Sequence, residues 1–232
     1  KGEAVGVRKR PPFLHVTVSN KGDTVEKLVT EWYRHRARVF FANRMEVCMK
    51  SLGKYAHEAV ALDNNGVIYC TDDFGGRLFR LIPDNGKKFE GEFQAAIYNK
   101  NTKKLQWVKV NNPEIPPTYL KYQFNGPEGI AFYDEKIYFS TKGDNTIWEY
   151  NTKTDNIISI YSLETSSSKI LKGVDNICID KFGNIYVAED GGNLEIIVLL
   201  KNKNWKPEVF FRMNDNRNSE IAGIAFKKDM SR

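Results

Sequence analysis

The chain has 232 residues, 35 Lys and Arg against 29 Asp and Glu for a formal net charge of +6, with 41% hydrophobic and 28% charged residues. That composition is ordinary for a globular protein large enough to bury a substantial core. No apolar run approaches the roughly 18–20 residues that a membrane helix needs, and the lysines are scattered along turns (Lys100, Lys103, Lys153, Lys201) rather than gathered with aromatics, so no nucleic-acid partner is expected.

In chain order, residues 1–51 form the least legible stretch, and they are expected to belong to the first blade or blades of the repeat described below. Basic residues cluster at Arg8–Arg10 and Arg34–Arg38. Phe13–Ser19 alternates like a strand, and Asn20–Asp23 carries turn residues. Thr24–Arg38 reads either as a helix capped by Thr24, with Val25, Leu28, Val29 and Trp32 at helical spacing, or as a strand pair of an outer blade. Arg38–Met49 carries strand-like residues.

From Leu52 the pattern is clear. Ala59–Leu62 and Val67–Thr71 are predicted strands around Asp63-Asn64-Asn65, followed by Arg77–Pro83. An insertion is expected at 87–119, where Phe93–Tyr98 and Leu105–Val110 pair and three prolines mark a loop. Next come Gly129–Phe132, Ile137–Ser140, Ile147–Tyr150 and Ile157–Tyr161. After a linker follow Ile177–Ile179, Ile185–Ala188, Leu194–Leu200 and Pro207–Arg212, then a last copy with a strand at Gly223–Phe226.

The copies are one unit repeated. Aligned on Ala59, Gly129, Asn176 and Gly223, the intervals are 70, 47 and 47 residues. A strand-rich period of roughly 40–50 residues is the signature of a β-propeller with one four-stranded blade per period. The expected fold is therefore all-β over 52–232. The last copy stops where earlier copies enter a second strand, which is read as part of a longer chain.

Acidic residues recur at fixed repeat positions. Glu58, Glu128 and Asp175 stand just before the inner strand; Asp72, Thr141 and Glu189 end the next one; Glu220 precedes Gly223. Rotation about a propeller axis brings equal repeat positions to one rim of the channel. Several carboxylates there would repel unless a cation sat among them, and hard oxygen ligands favour Ca²⁺, Mg²⁺ or Mn²⁺ over zinc. Cysteines 48, 70 and 178 and histidines 15, 35 and 57 have no zinc-ligand spacing. Asp73-Phe74-Gly75 imitates a kinase triplet without that enzyme's other loops.

Four segments, LGKYAHEAVALDNNGVIYCTDD, FNGPEGIAFYDEKIYFSTKGDNTIWEYN, GVDNICIDKFGNIYVAEDGG and SEIAGIAFKKDMSR, resemble in that order the PhoX-type alkaline phosphatases. The resemblance covers Leu52–Arg232. It implies a six-bladed propeller whose channel holds Ca²⁺ and iron, hydrolyses phosphate monoesters and works outside the cytoplasm. The matching metal ligands are Glu58, Asp72, Glu128, Glu189 and Glu220, with Glu128 as the catalytic carboxylate and Asp175, Asn176 and Lys142 toward substrate. Three departures stand out. The family's T-C-E-E segment is absent, Gly126 stands where the family carries a phosphate-holding arginine, and Asp72 replaces a glutamate. Two further functions stay open: a lactonase- or esterase-type propeller hydrolase acting on an ester substrate, and a non-catalytic calcium-stabilised propeller that binds a partner.

Overall fold

The computed structural model describes residues 6–10, 13–17, 24–53, 55–85, 90–113, 115, 117–190, 193–213 and 220–226. The chain divides into two compact units, Lys1–Lys50 and Ser51–Arg232.

The first unit contains an antiparallel hairpin, β1 (Gly6–Arg10) with β2 (Phe13–Thr17), and then α1 (Val25–Leu52) as far as Lys50, the last two residues of that helix belonging to the second unit. The turn read at Asn20–Asp23 lies outside the described residues. Of the two readings of Thr24–Arg38 the helix is the one adopted, and Thr24 caps it: its Oγ1 accepts from the Lys27 amide at 3.2 Å. Arg38–Met49, expected to be strand-like, continues the same helix. The 28-residue span contains neither Gly nor Pro, the two residues least compatible with a helix interior, and its Arg, Glu and Lys residues favour helix. Gly53 ends it with φ +81°, and a Cβ there would lie 2.1 Å from the Pro113 carbonyl oxygen. These residues thus build a hairpin and a helix. No helix among the described residues is long and apolar enough to cross a membrane.

The second unit is three antiparallel sheets, each a meander in chain order. The first holds β3 (His57–Leu62), β4 (Ile68–Asp72), β5 (Arg77–Pro83), β6 (Gly91–Asn99) and β7 (Lys104–Lys109). The second holds β8 (Pro127–Tyr133), β9 (Lys136–Thr141), β10 (Thr146–Asn151) and β11 (Ile157–Ser162). The third holds β12 (Val174–Ile179), β13 (Ile185–Glu189), β14 (Glu195–Leu200) and β15 (Lys206–Arg212). The expected insertion resolves into two parts. Its first strand, β6, is the regular fourth strand of the first sheet, and only β7 and the loop after it are additional. Residues 87–89, 114 and 116 of that stretch lie outside the described residues.

The first strands of successive sheets are neighbours, β3 beside β8 and β8 beside β12. One apolar cluster fills the space between the first and second sheets, with Tyr69, Leu78, Ile137, Phe139 and Tyr150. A second, with Ile147, Val174, Ile185, Val187 and Leu199, fills the space between the second and third. Leu52 and Leu120 cover the outer face of the first sheet over Cys70, Phe79 and Phe93. Strands such as β4 are buried on both faces, so they read as apolar runs rather than alternations.

Each sheet carries the same irregularity. Two residues of the first strand oppose one of the second between His57 and Val60, between Pro127 and Ile130, and between Val174 and Ile177. The bulged pairs are Glu58-Ala59, Glu128-Gly129 and Asp175-Asn176. A bulge re-aims the side chains it carries, and here it turns the repeated acidic residue out of the sheet. The opposing residue then ties one sheet to the next. Thr71 Oγ1 donates to the Glu128 carbonyl at 2.5 Å, and Ser140 Oγ to the Asp175 carbonyl at 2.5 Å. The strands approach closely there, since a Cβ on Gly129 would lie 2.5 Å from the Ile177 nitrogen.

The expected strand at Gly223–Phe226 does not form. Residues 220–226 run beside β12 without a strand ladder, held by the Asn176 amide donating to the Ala222 carbonyl at 3.4 Å and by Phe226 edge-on to Tyr186 at 4.9 Å.

Candidate functional site

Two repeat positions build one cavity. The first is the bulge residue, Glu58, Glu128 and Asp175. The second is the residue just after the second strand of each sheet, Asp73, Lys142 and Asp190, fixed in each case by one backbone bond. The amides of Asp73, Lys142 and Asp190 donate to the carbonyls of Ala56, Gly126 and Gly173 at 3.1, 2.8 and 2.8 Å. With Asn176 and Glu220 these side chains line a cavity of about 470 Å³.

Lys142 stands among the acids. Its Nζ lies 2.5 Å from Asp190 Oδ2, 3.5 Å from Asp175 Oδ2 and 3.8 Å from Glu128 Oε1. The hydrogen bond to Asp190, with the charges of Asp175 and Glu128 behind it, pushes the ammonium pKa upward, so Lys142 stays cationic. Glu128 is only 6% exposed. Burial first, then the charges of Asp175 and Glu58, raise its pKa from 4.5 to about 7. Glu58 shifts the same way, through burial and the neighbouring Asp73 and Asp175.

Two residues expected as metal ligands face elsewhere. Asp72 is buried and accepts from Arg77 Nη1 at 2.9 Å. Glu189 is fully buried and accepts the backbone amides of Lys172 at 2.8 Å and Glu195 at 3.3 Å, which tie down the loops on either side of it. Burial raises its pKa despite those two bonds. Strand alternation explains both placements, because consecutive side chains point to opposite faces. If Asp72 and Glu189 turn toward the third strand of their sheets, Asp73 and Asp190 turn toward the cavity. Those two were missed, although the doublets Asp72-Asp73 and Glu189-Asp190 carried the signal. Of the expected set, Glu58, Glu128, Glu220, Asp175, Asn176 and Lys142 are brought together.

Gly126 has its own reason. Its φ is +65°, in the left-handed region, and a Cβ there would lie 3.0 Å from Asp73 Oδ1. An arginine at this position would strain the backbone, so substituting one is not a route to a phosphate anchor.

Among the described residues, no three His, Cys, Asp or Glu side chains are grouped so as to hold a metal ion. The donor chemistry nonetheless suits a hard cation, since the lining is carboxylate oxygen with one amide, and the Lys142 ammonium marks a place where positive charge is stabilised. Among the described residues neither Cys70, buried in β4, nor Cys178 lines the cavity, so no thiolate ligand for iron is found there among them.

The Glu128 shift sets a pH dependence. Below pH 4.5 the carboxyl is protonated in both folded and unfolded chains. Between 4.5 and about 7 the unfolded chain loses the proton while the folded chain keeps it, so stability of the cation-free protein falls as pH rises through this window. Glu128→Gln removes that slope. Because the Gln variant also loses a partner of Lys142, the expected gain at pH 8 is only about 1–2 kcal/mol, measured by urea unfolding at pH 5 and pH 8. Parallel pH profiles for parent and variant would refute the assignment.

No protein-family model matches this chain, and no curated protein matches it. Among solved structures it is similar to a nidogen/laminin complex, at 14% identity and TM-score 0.49, covering 75% of this chain and 54% of that one. It is similar also to virginiamycin B lyase from Staphylococcus aureus with quinupristin, at 20% identity and TM-score 0.39, covering 74% of this chain and 60% of that one. A luciferin-regenerating enzyme aligns at 16% identity and TM-score 0.35, over 76% of this chain and 81% of that one. The chain thus spans little more than half the length of the first two structures it matches.

Proposed function

We propose that residues 51–232 are consecutive blades of a six-bladed type β-propeller whose axial cavity binds a divalent cation, Ca²⁺ by preference, and hydrolyses a small phosphate monoester. The observation that supports this reading is the recurrence of one carboxylate in one bulge in three successive sheets, all lining a single cavity. Glu58, Glu128, Asp175 and Glu220 would hold the ion, with Asp73 and Asp190 beside them. A bound cation neutralises phosphate oxygens and charge developing at the leaving oxygen. Lys142 supplies a second positive group toward the same oxygens, and the Asn176 amide a neutral donor. Glu128, with a pKa near neutrality, is the group to carry a proton to or from the reacting oxygen.

A second reading has an observation of its own. Lys142 already neutralises Asp175 and Asp190 of the neighbouring sheet, as a bridge in a non-catalytic binding propeller would. One set of measurements separates the two. After EDTA stripping, added Ca²⁺ at about 100 times its Kd is expected to stabilise the protein by about 2.7 kcal/mol through linkage. Hydrolysis of 4-nitrophenyl phosphate should then depend on Ca²⁺ and vanish in Glu128→Gln. An unchanged melting temperature with and without Ca²⁺ sinks the cation site. A Ca²⁺ response with no turnover of aryl phosphate, lactone or aryl acetate, iron also supplied, leaves the binding propeller.

A further inference from the structure

A second cavity, of about 360 Å³, opens between the first and second sheets. Half of its lining is aromatic (Tyr98, Tyr122, Phe124 and Trp148) and half is polar (Lys100, Gln123, Asn125 and Asp144). Tyr98 at the end of β6 lies near-parallel to Phe124, with centroids 5.9 Å apart and planes at 12°. Trp148 of β10 meets both edge-on, at 5.4 Å from Tyr98 and 5.7 Å from Phe124. Tyr122 stands at the rim with 75% of its surface exposed and φ +59°, an uncommon conformation for an aromatic residue. It is held there by the chain on either side, the Tyr122 and Phe124 amides donating to the carbonyls of Gly75 and Gly76 at 2.8 and 3.0 Å. The cost of displaying a tyrosine this way has no return in packing, because the ring is mostly outside the core.

The polar groups at the mouth are sorted. The Gln123 side chain is committed to structure, accepting from the Tyr98 amide at 3.1 Å and donating to the Tyr119 carbonyl at 3.4 Å. Asp144 is oriented through a relay, in which the Trp148 indole N–H donates to Thr141 Oγ1 at 3.1 Å and that hydroxyl donates to Asp144 Oδ1 at 2.5 Å. Lys100 brings an ammonium to the same cavity, so its two charged residues cancel. A strip of backbone separates it from the acidic cavity, the amides of Lys142 and Gly143 donating to the carbonyls of Gly126 and Asn125 at 2.8 and 3.0 Å.

We infer that this cleft, formed by Tyr98, Tyr122, Phe124 and Trp148 with Asp144 and Lys100, is a binding site for a neutral polyhydroxylated ring, a pyranose sugar. Aromatic walls suit the apolar C–H faces of such a ring, and a fixed carboxylate with an ammonium suits hydroxyls at its edge, which both accept and donate. With one carboxylate and one ammonium in its lining, the cleft offers neither an anion nor a cation a net electrostatic attraction, which leaves the aromatic surface and the hydroxyl-edge contacts as the basis of recognition. The site does not depend on the cation reading of the other cavity.

The test is saturation-transfer NMR and titration of the purified protein with glucose, galactose, N-acetylglucosamine and cellobiose. At least one is expected to bind in the millimolar range and to receive saturation on its ring protons. Tyr122→Ala, at an exposed position, and Asp144→Asn are each expected to weaken binding by roughly threefold to tenfold. Glu128→Gln should leave sugar binding unchanged, which separates this site from the acidic cavity. Absence of binding by all four sugars overturns the inference. So does binding that both variants leave intact, or tighter binding of choline or phenyl phosphate at this cleft than of any sugar.

Discussion

Lys142→Met is expected to tighten divalent-cation binding by between about tenfold and a hundredfold while destabilising the cation-free protein. The ammonium lies within 3.8 Å of three carboxylates that face the cavity, so an incoming cation must displace it or tolerate its repulsion. Two unit charges about 4 Å apart interact by roughly 4 kcal/mol near a protein surface. Lys142 is 38% exposed and has room to swing toward solvent, which reduces that figure to about 1.5–3 kcal/mol and gives the stated range. Without a cation, the variant leaves Glu128, Asp175 and Asp190 facing one another uncompensated. Its melting temperature should drop in EDTA and recover in Ca²⁺, more steeply than the parent's does. Calorimetric titration checks the affinity. A variant that binds Ca²⁺ no better than the parent shows that the ammonium and the ion do not compete for one place.

Arg77→Met is expected to cost about 3–5 kcal/mol of folding stability, the effect of removing one partner of a buried ion pair. Arg77 and Asp72 are 4% and 2% exposed, and the guanidinium is packed over the rings of Tyr55 at 5.6 Å and Phe79 at 5.9 Å. Methionine fills comparable space but leaves the Asp72 carboxylate without its cation. The melting temperature should fall by roughly 6–20 °C for a chain of this size. The double variant Asp72→Leu/Arg77→Met should recover much of the loss, since the remaining charge is then removed as well. The Ca²⁺ affinity of each variant that folds should match the parent's. Loss of Ca²⁺ binding in Asp72→Leu/Arg77→Met alone would return Asp72 to the ligand set.

The neighbourhood of this pair also carries orphaned atoms. Tyr55 Oη, His57 Nδ1 and Arg77 Nε are buried without a hydrogen-bond partner, an arrangement that natural proteins keep rare. They lie around the Tyr55 and Phe79 rings, and of the three only His57 neighbours Glu58 in β3.

Much of the repeat was legible because it is local. Turn chemistry at Asp63-Asn64-Asn65 and the apolar runs of β4, β9 and β13 depend on residues a few places apart, and strands form where they were read. The acidic bulge residues were legible for the same reason, since Glu58, Glu128 and Asp175 share one place in the period. The helix at Val25–Leu52 was only half legible, because the helical spacing of Val25, Leu28, Val29 and Trp32 covers its first turns alone, while Val39, Phe40, Phe41 and Val47 in its second half are residues that also favour strands. The Gly223–Phe226 strand was read from a pattern whose ladder the described residues do not contain.

What the sequence by itself determined is the period, the meander within each period and the row of carboxylates that the period places in register. What the tertiary structure decided is which face each acid takes. A one-residue step along a strand reverses the direction of a side chain, so Asp72 and Glu189 went to buried structural bonds and Asp73 and Asp190 to the cavity. It also decided that the third member of that row is Lys142, whose ammonium reaches carboxylates 33 and 48 residues away in the chain, at Asp175 and Asp190. No local pattern encodes such a meeting, because it exists only once the first strands of neighbouring sheets have packed side by side.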